Sequence, residues 1–170
     1  MRILFLVISA LCAVLMVGGL IGFTLSGEEA GIPVPPPGTG VGFGDEPLEG
    51  LPLSDFLVDA ELTMTWEADV WVGIVTEEER NRCAPDGGWS NNCGGSSTDW
   101  AAGGPSTVDS KSLSWTVEDG TFYAADGQPF SSNADSTFDV AYEVDVTAST
   151  PLLVIIGLTG TACLVMAFRS

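Results

Sequence analysis

Two stretches without a single charged residue, one near each end of the chain, constrain this sequence more than any other feature. Ile3 to Leu25 is a 23-residue apolar run and Pro151 to Phe168 is one of 18. At 1.5 Å per residue these make helices of roughly 34 and 27 Å, against a hydrocarbon core of about 30 Å. Pro151 fits the first turn of a helix, where its missing N–H is not needed. Arg2 precedes the first run and Arg169 follows the second. Basic residues favour the cytoplasmic side, so the expected arrangement is a two-pass protein of the cell membrane. Both termini are then cytoplasmic and the central domain extracytoplasmic. On this reading residues 1–26 are a signal anchor and 150–170 a second transmembrane helix.

The alternatives leave the middle exported as well. The first run exceeds the 7–15 apolar residues usual in a cleaved signal, although Thr24-Leu25-Ser26 before Gly27 is an acceptable cleavage sequence. The second run could be a processed sorting tail. Gly18 with Gly22, and Gly157 with Thr161, have the small-xxx-small spacing that lets helices approach closely in lipid. Cys12 and Cys163 lie inside the runs and read as small packing residues. Only Met1-Arg2 and Arg169-Ser170 are left for the cytoplasm, so an inward signal is expected to pass through a partner.

Residues 27–149 carry all 23 acids and three bases, Arg80, Arg82 and Lys111, for a net charge of −20. An acidic surface repels phosphates, which excludes nucleic acid as a partner. With no histidine in the chain there is no Ser-His or Cys-His nucleophile pair, no His-metal site and no ordinary proton shuttle near neutrality. A Ser-Lys dyad at Ser110, Lys111 and Ser112 has no supporting motif, and carboxylate pairs among so many acids arise by chance. There is also no glycine loop leading into a helix to hold a nucleotide. No catalytic residue and no enzyme activity are expected.

Residues 27–57 hold six of the ten prolines and seven of the 21 glycines and read as a linker. Beyond it the pattern turns to period two. Val58, Ala60, Leu62, Met64 and Trp66 alternate with polar residues, as do Leu113, Trp115 and Val117, and Phe138, Val140, Tyr142, Val144 and Val146. Val70 to Val75 is apolar on both faces, as a central strand is. Glu118-Asp119-Gly120 reads as a hairpin turn into Thr121 to Ala125. Five or six such strands predict a mainly β chain, with a small antiparallel sandwich over 58–149. The sandwich is followed within four residues by Pro151, a short tether.

Three segments resemble the bacterial pre-peptidase C-terminal type of jelly-roll domain. They are Leu62-Thr63-Met64-Thr65-Trp66, Asp69-Val70-Trp71-Val72-Gly73, and Val117 to Tyr123 with its Gly120-Thr121-Phe122-Tyr123 turn. The resemblance spans residues 58–147 and implies a jelly-roll-like fold and a non-catalytic binding or accessory module. It assigns no binding residues.

Cys83 and Cys93 are the two cysteines outside the apolar runs, and in an oxidising compartment they are expected to pair. Closing that loop stabilises the fold by about 2.5–3 kcal/mol on the chain-entropy account. The surrounding 77–110 stretch lacks strand periodicity and carries Trp89 and Trp100. Tryptophans on such a loop either anchor a protein or glycan partner or fold back over the core. Asp126, Asn133 and Asp135 form an oxygen-rich loop cluster that a Ca²⁺ ion could use, although no EF-hand spacing is present. The function these features favour is a non-catalytic accessory module partnered with other membrane or envelope proteins. The alternative is a stand-alone Ca²⁺- or glycan-binding surface module.

Overall fold

The computed structural model describes residues 2–38, 40–48, 56–85, 88–90, 92–132 and 136–169. The chain divides into two units. One comprises Met1–Thr24, Pro52–Ala60 and Asp145–Ser170, the other Leu25–Leu51 and Glu61–Val144.

In the first unit, helix α1 (Arg2–Ile21) and helix α3 (Thr150–Arg169) pack side by side. They run antiparallel, since Cys12 meets Gly160 while Met16, one turn on, meets Gly157. A Cβ added to Gly160 would lie 3.0 Å from that of Cys12, so this glycine sets the closest approach. Both helices are apolar all round, and Ile3, Val14, Leu158 and Phe168 are among many large side chains left exposed. Helix α1 is shorter than the expected 1–26. Gly22 adopts a left-handed φ of +67° and its N–H returns to Gly18 O at 3.0 Å, which ends the helix. The entry to α3 is fixed by Ser149, a buried residue whose N–H donates to Leu57 O (3.1 Å) and whose hydroxyl donates to Phe56 O.

The second unit is β-sandwich-like. Among the described residues nine strands, three of which begin or end in the first unit, form two antiparallel sheets. The four-stranded sheet is ordered β1 (Phe23–Pro33), β9 (Thr137–Ala148), β3 (Val58–Trp66), β7 (Ser112–Thr116). The five-stranded sheet is ordered β5 (Trp89–Ser90), β2 (Val41–Phe43), β8 (Phe122–Gly127), β4 (Trp71–Thr76), β6 (Ala102–Gly103). The alternating apolar residues do what period two predicts. Leu62, Met64 and Trp66 of β3, Leu113 and Trp115 of β7, and Phe138 and Val140 of β9 turn inward. They meet Val72 and Ile74 of β4 and Phe122 of β8.

Three sequence expectations are corrected. The stretch from 27 to 57 is not only a linker, because it supplies most of β1 and all of β2. Extended, proline-compatible backbone suits an edge strand such as β1. The Glu118-Asp119-Gly120 turn does not close a hairpin. It carries the chain from β7 in one sheet to β8 in the other, where Phe122 meets Trp115 edge-on at 4.8 Å between centroids. The 77–110 stretch is not a bare loop. Helix α2 (Glu77–Cys83), β5, β6 and a 3-10 turn at Pro105–Thr107 lie within it.

That stretch folds over the outer face of the five-stranded sheet and builds a second core. Val41, Phe43, Trp71, Val75, Tyr123 and Ala125 are buried there against Cys83, Ala84, Cys93, Trp100 and Val108. Strand β4 is therefore apolar on both faces because both are covered. Trp100 stands edge-on to Trp71 at 5.3 Å and donates its indole N–H to Gly95 O at 2.8 Å. A side chain at Gly73 would run into the Trp100 ring at 2.5 Å, so only glycine fits beneath it. Trp89 instead stands on edge strand β5 with 53% of its surface exposed. Trp100→Ala is expected to cost about 2–4 kcal/mol in chemical denaturation of the full chain in detergent. Trp89→Ala is expected to change it by less than about 0.5 kcal/mol. Equal losses would contradict the division of roles.

Candidate functional site

Of the residues singled out from the sequence, Cys83 and Cys93 are joined. Their Cα atoms lie 5.4 Å apart and both side chains are buried. Beside them is Glu79, which the sequence reading did not single out. Thr76 caps α2, its hydroxyl accepting from Glu79 N at 3.2 Å, the threonine-x-x-glutamate spacing typical of a helix start. The Glu79 carboxylate accepts from Arg82 Nε and Nη2 at 2.7 and 2.5 Å and from Asp99 N at 2.7 Å. The bidentate Arg82 guanidinium holds this carboxyl below its ordinary range against the opposing effect of burial, and the Asp99 N–H adds to it. Glu79 thus ties the helix to the far side of the disulfide loop. One carboxylate oxygen and the two sulfurs lie within 4.8 Å of one another, but the sulfurs are spent in the disulfide rather than available as thiolates.

The helix-packing residues behave differently from one another. Gly157 meets Met16, while Thr161 spends its hydroxyl on Gly157 O of its own helix at 2.8 Å. Gly18 faces open space and Gly22 lies past the helix end against Val146 O, so this pair does not pack α1 against α3. Gly160, which belongs to neither spaced pair, makes the closer contact.

Lys111 is engaged by Asp69 Oδ1 at 2.9 Å and Glu67 O at 2.6 Å. The strand-face acids serve as acceptors on the wet side. Glu61 takes the Ser114 hydroxyl at 2.5 Å and Asp139 takes Gly31 N–H at 2.8 Å. Of the three residues offered for Ca²⁺, Asn133 and Asp135 lie outside the described residues. Asp126 belongs to β8, paired with Gly42 of β2 and Val72 of β4.

Parity decides where Asp126 points. Phe122, Ala124 and Asp126 share the inner face of β8, so this carboxyl enters the space between the sheets. A cavity of about 710 Å³ opens there, lined by Leu62, Met64, Trp115, Phe122, Phe138 and Val140 among others. Asp126 is 8% exposed, and its Oδ2 has no hydrogen-bond partner. Gly42 makes room for it, since a Cβ there would lie 2.5 Å from Asp126 Oδ1. Burial pushes this carboxyl up to about 7, opposed only by a hydrogen bond from its own N–H. Glu29, Asp45 and Glu46, all exposed, line the same cavity, and no basic residue does.

Comparison with protein-family profiles, with characterised proteins and with solved structures finds no match for this chain. The functional reading therefore rests on its own residues.

Because the folded protein holds the Asp126 proton more tightly than the unfolded chain, this residue's contribution is intact below pH 3.8. It declines as the pH rises and is gone above about 7. The three-unit difference corresponds to at most about 4 kcal/mol. Asp126→Asn should therefore be more stable than the native chain at pH 8 and no more stable at pH 4. Denaturation midpoints of both proteins at the two pH values check this, and an equal difference at both would contradict it.

Proposed function

We propose that the chain is a two-pass membrane protein displaying its β-sandwich outside the cytoplasm. It acts there as a non-catalytic accessory subunit of a membrane or cell-envelope assembly. The observation that carries this reading is the antiparallel pair α1 and α3. Each is 20 residues long, and apolar side chains are exposed around both. Water would not tolerate that surface, whereas lipid or the helices of a partner would cover it. Each helix is long and apolar enough to cross a bilayer. Arg2 and Arg169, at the outer ends of the antiparallel pair, favour cytoplasmic ends.

A disulfide is a bond of oxidising compartments and agrees with display on the outside. The acidic exterior keeps the sandwich soluble and holds it off anionic lipid. The contact surface for a partner is β5, the strand that ends the five-stranded sheet, where Trp89 presents a large exposed indole. The resemblance to jelly-roll domains at Gly120 to Tyr123 belongs with this reading, since it too implies a binding module.

Extracted from its own membrane in mild detergent, the chain should migrate as a defined complex with other polypeptides. Trp89→Ala should weaken that association at least tenfold while leaving the chain folded. A lone monomer on native mass measurement would overturn the proposal.

A further inference from the structure

The outer surface of the helical unit is apolar but not uniform. An open groove of about 690 Å³ runs along α3 beside α1, walled by Phe5 of α1 and by Leu158, Ala162, Val165 and Met166 of α3. Thr161 also lines it, but its hydroxyl already donates to Gly157 O at 2.8 Å, so the wall makes no polar demand along its length. Charge enters at one end only. Arg169, exposed in the last turn of α3, lines the groove, whereas Arg2, the other base of this unit, does not. Among the described residues Arg169 has no ion-pair partner, the two ion pairs being those of Arg82 and Lys111. From Leu158 to Arg169 the helix rises about 16 Å. That is the depth of one leaflet in a hydrocarbon core about 30 Å thick.

We propose that this groove holds one anionic phospholipid of the cytoplasmic leaflet, an acyl chain lying along Leu158, Ala162 and Val165 and the phosphate meeting the Arg169 guanidinium. The inference rests on the two-pass reading, which puts Arg169 at the level of the cytoplasmic headgroups. Charge and length together select this occupant. A guanidinium offers a fork of donors that matches phosphate oxygens, and a base beside membrane helices on that side is suited to an anionic headgroup. A zwitterionic headgroup brings its own cation to the phosphate and gains less from Arg169. The apolar wall ends about one leaflet deep, where an acyl chain ends too. A helix crossing the whole bilayer would need a groove about twice as long.

The test weighs the full chain in mild detergent by native mass spectrometry while dioleoyl phosphatidylglycerol or dioleoyl phosphatidylcholine is titrated in. One phosphatidylglycerol should be retained per chain, at least tenfold more tightly than phosphatidylcholine. Arg169→Gln should bring the two lipids level, whereas Arg2→Gln should leave the preference as it was. Ala162→Trp, which fills the groove at an exposed position, should remove retention of both, and circular dichroism checks that each variant is folded. Equal retention of the two lipids by the native chain, a preference that survives Arg169→Gln, or retention unmoved by Ala162→Trp would overturn the site. A dimer, or a complex with another polypeptide, that retains no lipid would assign the groove to a protein helix and overturn it too. Alkaline carbonate treatment of vesicles holding the chain tells this failure from that of the two-pass reading. Extraction of the chain would overturn both, while a chain that stays in the vesicles but shows no lipid preference in detergent would overturn the lipid site alone.

Discussion

The five-stranded sheet has to be covered on both faces, and most of the sandwich unit follows from that. Trp71, Val75, Tyr123 and Ala125 face away from the other sheet, and left in water they would form a large apolar patch. The 77–110 stretch is their cover. It is short of hydrophobic side chains, so it is held by other means. The Cys83–Cys93 bond, the Glu79 carboxylate, the Trp100 indole and Thr107 each pin one part of it. Thr107 shows the economy of this arrangement. Its hydroxyl accepts from Val72 N at 3.0 Å, and its one proton lies between the carbonyl oxygens of Val72 and Gly104. A single side chain thereby satisfies backbone of β4 just beyond its pairing with β6.

Burial treats the acids of this chain in two ways. Several stand exposed on strand faces, where a hydroxyl or backbone N–H is enough and their charge serves solubility. Among the described residues Glu79 and Asp126 are buried, and their surroundings move them in opposite directions. Glu79 gains an arginine fork and a backbone donor and remains a carboxylate. Asp126 gains apolar walls and no outside donor, so its proton is held to about neutral pH. The first arrangement fixes a fold, while the second leaves a buried acceptor, Asp126 Oδ2, without a hydrogen-bond partner.

Much of this architecture was legible in the residues. Period two located β3, β7 and β9, and the doubly apolar Val70 to Val75 announced a strand covered on both faces. The terminal apolar runs announced α1 and α3. What escaped had physical reasons. Local sequence cannot say which sheet a strand joins, so the Glu118-Asp119-Gly120 turn passed for a hairpin although β7 and β8 part company there. Phe23 to Pro33 lacks alternation because β1 is an exposed edge strand held through its backbone. Asp126 was grouped with Asn133 and Asp135 by proximity in sequence. Counting parity on from Phe122 and Ala124 would have turned it inward, and the Thr76 to Glu79 spacing would have signalled α2. Nothing in the sequence distinguished Trp100 from Trp89, because the discriminating partners, Trp71, Gly73 and Gly95, come from three different segments.

The disulfide joins the fold to the proposed location, since it secures the cover of the five-stranded sheet and forms only where thiols are oxidised. The most direct measurement is its state in living cells. Cells are quenched in acid and alkylated before lysis, and the peptides carrying Cys83 and Cys93 are weighed with and without reduction. Display outside the cytoplasm predicts that the two cysteines are linked and take label only after reduction. Alkyl groups on both without reduction would place the sandwich in a reducing compartment and contradict the account.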